Sequence, residues 1–155
     1  MTTQAAMSQN LSWDLPNPFI LKISCAGEHE DRLGHINNVE YLNWLEDVSW
    51  QHITQLGAPW YTWKQHDVAM ATVETRVKYL AAAHAGDLIK VATWITEHDK
   101  LRARRQFQII RISDGKTLLR AEKDYVCIAL SSGKPKKMPG FMSDAYEAGV
   151  AAAKP

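Results

Sequence analysis

From Val39 to Leu56 the polar residues Glu40, Asn43, Asp47, Gln51 and Thr54 return every three or four positions, with Leu42, Leu45, Ile53 and Leu56 opposite them. That spacing predicts an amphipathic helix. Tyr41, Trp44 and Val48 widen its apolar side, so the helix is expected to be enclosed over much of its circumference. Asn37 followed three residues later by Glu40 reads as an N-cap with a reciprocal carboxylate, and Gly57 with Pro59 stops the helix. Beyond it the period falls to two. Val73, Thr75, Val77 and Tyr79 alternate with Glu74, Arg76 and Lys78, and Ile89, Val91, Thr93 and Ile95 alternate with Lys90, Ala92 and Trp94. Arg104 to Ile112 and Leu118 to Leu130 continue the strand pattern, joined by an Asp-Gly hairpin turn in SDGK, with further turns in HAGD and SSGKP. Upstream, FILKISCA (Phe19 to Ala26) reads as a buried strand ended by Gly27, and Ser143 to Ala152 as a short C-terminal helix.

Strands joined by short turns pair antiparallel, and a long apolar helix needs a sheet to cover it. The pattern therefore predicts an α+β fold in which an antiparallel sheet of about five strands wraps one long central helix. Residues 19–155 form one domain in this reading, and residues 1–18, polar and interrupted by Pro16 and Pro18, a flexible lead-in. With so few elements, one sheet face has little cover within the chain, which predicts a homo-oligomer, dimer or tetramer.

Composition narrows the function classes. A formal net charge of +1 supplies no global field for nucleic acid or an anionic membrane, and no run approaches the roughly 18 apolar residues of a membrane span. The first residues lack the basic start and apolar stretch of a secretory leader, so a cytoplasmic location is expected. Cys25 and Cys127 lie in apolar runs and read as small buried thiols. Six Trp in 155 residues either line an apolar pocket or fill core and subunit contacts.

Candidate chemistry concentrates in HEDRLGHINNVEYLNWLED, residues 29–47. His29 and His35 stand six apart across a glycine, which is not the i, i+4 spacing that puts two metal ligands on one helical face, so no metal is expected. A single glycine, Gly34, does not make a phosphate loop, no G-x-S-x-G elbow occurs, and neither Cys has an activating neighbour in sequence. What remains is a carboxylate, Asp31, just before a helix N-terminus whose backbone N–H groups and positive dipole end can receive an oxyanion. The plain alternative is that Asp31 and His35 only hydrogen-bond their own loop.

The stretch DRLGHINNVEYLNWLED resembles the signature of the hotdog-fold thioesterases, the 4-hydroxybenzoyl-CoA thioesterase and acyl-CoA thioester hydrolase group: Asp31, Gly34, Asn37, Asn38 and Tyr41, with His35 and Glu46 in family-like positions. YLAAAHAGDLIKV and ALSSGKPKKMPG extend the likeness, which runs from about Phe19 to Gly140. Two positions depart: many relatives carry a second Asp where this chain has His29, and plant carrier-protein thioesterases an Asn where it has Leu33. The resemblance implies a hotdog fold and an acyl-CoA or acyl-carrier-protein thioesterase without cofactor. Asp31 would be base or nucleophile, with His35 and Asn38 orienting substrate or water and the N–H groups of Gly34 to Asn38 forming the oxyanion site. Arg104, Arg105, Lys134 and Lys136 are candidate contacts to CoA phosphates, and Glu46 is a carboxylate beside the apolar stripe. A non-catalytic acyl-CoA binding or sensing module on the same fold is the alternative.

Overall fold

The computed structural model describes residues 11–155. Strand β1 (Phe19–Ser24) leads through a 3-10 turn to helix α1 (Asn38–Gln55) and a short helix α2 (Trp60–Gln65). Strands β2 (Ala69–Tyr79), β3 (Leu88–His98), β4 (Arg102–Arg111) and β5 (Thr117–Ile128) follow, and helix α3 (Gly140–Ala153) ends the chain. The five strands form one antiparallel sheet in the order β1-β3-β4-β5-β2. Helix α2 and the first residues of β2 were not expected. WYTWKQ is too short to show a helical period, and Ala69 to Thr72 carry no alternation of polar and apolar residues.

One face of the sheet packs on α1. Tyr41, Trp44, Leu45 and Val48 meet Ile89 and Val91 of β3, Phe107 and Ile109 of β4, and Leu119 and Ala121 of β5. Farther along, Ile53 joins Ile95, Ala103, Tyr125 and Cys127, and α3 closes that end with Met142, Ala145 and Tyr146. Both cysteines are buried and unpaired, Cys25 just past the end of β1 and Cys127 within β5.

The capping expectation needs one correction. Asn37 does cap α1, its Oδ1 accepting from Val39 N–H at 3.0 Å. The reciprocal bond from Glu40 has no donor to use, because Asn37 N–H is already given to the carbonyl of His29 at 2.8 Å.

The second half of the lead-in, residues 11–18, carries no helix or strand but is docked on the other sheet face. Gln108 Oε1 accepts from Asp14 N–H at 2.9 Å and Gln108 Nε2 donates to Ser12 O at 3.1 Å. Trp94 Nε1 donates to Pro16 O, Trp13 packs edge-on against Trp94, and Arg120 holds the Asp14 carboxylate at 2.8 and 3.0 Å. Residues 1–10 of that lead-in lie outside the described residues. Strand β2 borders the sheet with Val73 exposed. No helix among the described residues is long and apolar enough to cross a membrane.

Candidate active site

The segment before α1 is a tight loop. Glu30 and Ile36 form a β-bridge that closes it, Asp31 N–H donates to His35 O at 2.7 Å, and Gly34 N–H donates back to Asp31 O at 3.1 Å. Gly34 turns the chain at φ +75°, a conformation glycine reaches without steric cost. Asp31 Oδ1 accepts from Leu33 N–H at 2.8 Å and from His35 N–H at 3.3 Å. These two bonds fix the carboxylate and leave Oδ2 without a hydrogen bond among the described residues.

The structure brings Asp31, Gly34, His35, Asn37 and Asn38 together at the helix N-terminus. It also adds His84, from the turn before β3, which sequence spacing did not flag. His84 Nδ1 lies 3.0 Å from Gly34 O, and its ring meets that of His35 edge-on at 5.2 Å. Tyr41 Oη accepts from Ala83 N–H at 3.2 Å, tying the same turn to α1. His29, where many relatives carry an Asp, locks the 3-10 turn: its Nδ1 accepts from Ala26 N–H at 3.0 Å and its ring stands edge-on to Trp44.

Of the backbone donors expected for an oxyanion, most are committed. Gly34 N–H goes to Asp31 O, Ile36 N–H to Ala83 O, Asn37 N–H to His29 O and His35 N–H to Asp31 Oδ1. Asn38 N–H, the first amide of α1, has no acceptor among the described residues. Its side chain is exposed and likewise has no partner there.

The cations expected at CoA phosphates are dispersed. Arg105 is 2% exposed, beneath α1. Its Nη1 lies 2.9 Å from His52 Nδ1 and 3.3 Å from Thr93 Oγ1, and Nη2 donates to Ser49 O at 3.4 Å. Arg104 points to the opposite sheet face, where Asp124 holds it at 2.7 Å. Lys136 donates to the carbonyls of His66 and Asp67 at 2.7 and 3.2 Å, which occupies its charge in tying a loop. Lys134 is exposed. Sequence periodicity could have separated Arg104 from Arg105, since adjacent strand residues face opposite ways.

A second polar cluster, also unforeseen, lies under the middle of α1. Glu46 Oε1 accepts from Lys123 Nζ at 2.6 Å, and that ammonium sits 5.7 Å from the centre of the Phe107 ring. Beside this pair a cavity of about 60 Å³ is lined by Glu46, Ser49, Arg105, Tyr125 and Tyr146 with Trp50, Ile53, Trp63, Met70 and Thr72. Among the described residues no three His, Cys, Asp or Glu side chains gather as metal ligands.

Comparison with known proteins fits this architecture. The thioesterase-like superfamily matches residues 26–146. The long-chain acyl-CoA thioesterase FadM of Escherichia coli is 24% identical over 127 residues, 81% of this chain and 95% of that protein. The 1,4-dihydroxy-2-naphthoyl-CoA hydrolase of Synechocystis sp. is 31% identical over 101 residues, 64% of this chain and 67% of that one. Among solved structures, a Staphylococcus aureus protein in complex with CoA superposes with a TM-score of 0.82 at 17% identity, over 93% of this chain and 90% of that one. The 1,4-dihydroxy-2-naphthoyl-CoA thioesterase of Synechocystis does so at 0.76 and 21% identity, over 84% and 96%. The α+β architecture is thus the hotdog fold, and with a match that runs from the 3-10 turn before Asp31 into α3, the chain belongs to the thioesterase-like superfamily.

Proposed function

We propose that this chain hydrolyses an acyl-CoA thioester to a carboxylic acid and free CoA, with Asp31 as general base. The observation that carries the reading is the Asp31 carboxylate pinned through Oδ1 by Leu33 and His35 N–H groups, beside the unengaged first amide of α1. The named relatives, acyl-CoA and naphthoyl-CoA thioester hydrolases, support the substrate class.

In this scheme Asp31 Oδ2 takes a proton from water as its oxygen adds to the thioester carbonyl. Asn38 N–H, at the positive end of the α1 dipole, stabilises the carbonyl oxygen as it gains charge. Collapse of the tetrahedral adduct breaks the C–S bond, and the proton held on Asp31 passes to the departing sulfur. His35 and the Asn38 side chain border the carboxylate and orient water and substrate, with His84 behind His35. Water, a base and a donor suffice for this chemistry, which uses no cofactor.

The assembled form in this reading is a homodimer or larger homo-oligomer joined through the open edge of β2. An 11-residue border strand with exposed Val73 presents unpaired backbone groups that natural proteins cover. Lys134 is then the remaining candidate for a CoA phosphate. Thiol release from a panel of acyl-CoAs tests the activity. Tight acyl-CoA binding with no release from any of them would replace hydrolysis with a non-catalytic binding or sensing role.

A further inference from the structure

The cluster beneath α1 holds more positive charge than it neutralises. Lys123 is 5% exposed and is answered by Glu46 at 2.6 Å. Arg105, 2% exposed, has no carboxylate within ion-pair distance among the described residues. Its partners are all neutral: the Ser49 carbonyl, the Thr93 and Tyr146 hydroxyls, and His52. His52 adds no compensation, since burial and the adjacent Arg105 charge push its pKa down to about 3. Burial also raises the pKa of Tyr125 and Tyr146, so both hydroxyls stay protonated, Tyr146 against Arg105 and Tyr125 against Ser49. A buried cation without a counter-charge is costly to hold, and here it faces a cavity.

That cavity of about 60 Å³ suits a small anionic group. One water needs about 10–15 Å³ of such space, so the cavity has room for a few waters or for a carboxylate. Its rim residues Glu46, Trp50 and Thr72 are exposed, so it is open to entry. Glu46 would repel an anion by itself, but it faces both Lys123 and Arg105, so one negative charge meets two positive ones and the cluster stays net positive. Glu46 stands eight residues beyond Asn38, about 12 Å along the helix axis, so this is the place for the far end of an acyl group and not for the thioester.

We propose that the cavity is a specificity subsite in which Arg105, with Tyr125 and Tyr146, binds a terminal carboxylate on the acyl group, so that the chain prefers ω-carboxyacyl thioesters over methyl-ended ones. The Nη groups of Arg105 are held by neutral acceptors, so its contribution is an unmatched charge at the cavity wall, and the Tyr146 hydroxyl beside it supplies a hydrogen-bond donor to a carboxylate. The inference rests on the thioesterase reading for what delivers the carboxylate, while the subsite itself can be tested without turnover.

The test uses S-alkyl-CoA thioethers, which cannot be hydrolysed, ending in carboxylate or methyl at equal carbon number across short to medium lengths. Their binding to the full chain is measured by calorimetry. At one or more lengths the carboxylate-ended analogue binds about tenfold or more tighter, a step of one charge-assisted contact, and both Arg105→Gln and Tyr146→Phe reduce that ratio. If Arg105→Gln does not fold, Tyr146→Phe carries the comparison. A wild-type ratio at or below one at every length overturns the subsite, as does a preference that both variants leave intact. Binding preference without hydrolysis of any acyl-CoA would instead overturn the proposed activity and leave the subsite standing.

Discussion

Arg105 Nη1 lies 2.9 Å from His52 Nδ1, and both side chains are buried where α1 crosses β4. The imidazole must be a neutral acceptor there, and burial together with the Arg105 charge lowers its pKa to about 3. Unfolding restores an ordinary histidine near 6.5, so between pH 6.5 and 3 the unfolded chain binds the proton that the folded chain refuses. Stability from this group is present above about pH 6.5 and falls as the pH drops. Denaturant unfolding should show a loss of up to about 2 kcal/mol between pH 7 and pH 5 that is absent from a His52→Gln protein. Equal pH slopes for the two proteins would contradict the assignment.

Glu46 and Lys123 form an asymmetric pair. Lys123 is buried against Phe107, while the Glu46 side chain is about half exposed. Removing the carboxylate strands a buried ammonium, whereas removing the lysine frees a carboxylate that water can solvate. Glu46→Gln should therefore destabilise the chain by about 1–2 kcal/mol in urea unfolding, and adding Lys123→Met should recover part of that loss. An unaltered midpoint for Glu46→Gln would show that the pair contributes nothing.

Gly149 lets α3 approach the sheet. A Cβ at that position would meet Ile95 Cδ1 at 2.8 Å and the less movable Ile95 Cβ at 3.2 Å. Gly149→Ala gains about 1 kcal/mol of helix propensity and loses more to overpacking, typically about 1–3 kcal/mol. The expected outcome is a lower melting temperature, restored when Ile95→Val accompanies it. A raised melting temperature for the single variant would mean that α3 slides freely.

The open edge of β2 makes assembly measurable. Light scattering should give a mass of at least twice the 17.5 kDa chain, and Val73→Lys, placed on that border strand, should shift it toward the single chain. A single-chain mass at micromolar concentration in the wild type would remove the edge-paired assembly.

Much of this architecture was legible from period alone. The switch from 3.6 to 2 after Gly57 located α1 and four strands because each buries one face against the same core. The Asp31 loop was legible from the DRLGHINN pattern. Its closure was not, because the acceptors of Ile36 and Asn37 N–H, the carbonyls of Ala83 and His29, depend on tertiary approach. The separation of Arg104 from Arg105 was hidden for a related reason. Two adjacent arginines look like one basic patch until the pleat sends Arg104 to Asp124 and Arg105 under α1. The Glu46–Lys123 pair joins residues 77 positions apart, which no local pattern marks.

In the proposed hydrolysis Asp31 supplies the base. Asparagine keeps an Oδ1 that can still accept from Leu33 and His35 N–H, so the loop survives while the basic carboxylate is lost. The direct measurement is thiol release from the best acyl-CoA substrate by wild-type and Asp31→Asn proteins of matching circular dichroism. A fall in kcat of roughly 100-fold or more is expected, and near-wild-type turnover by the folded variant would contradict a base role for Asp31.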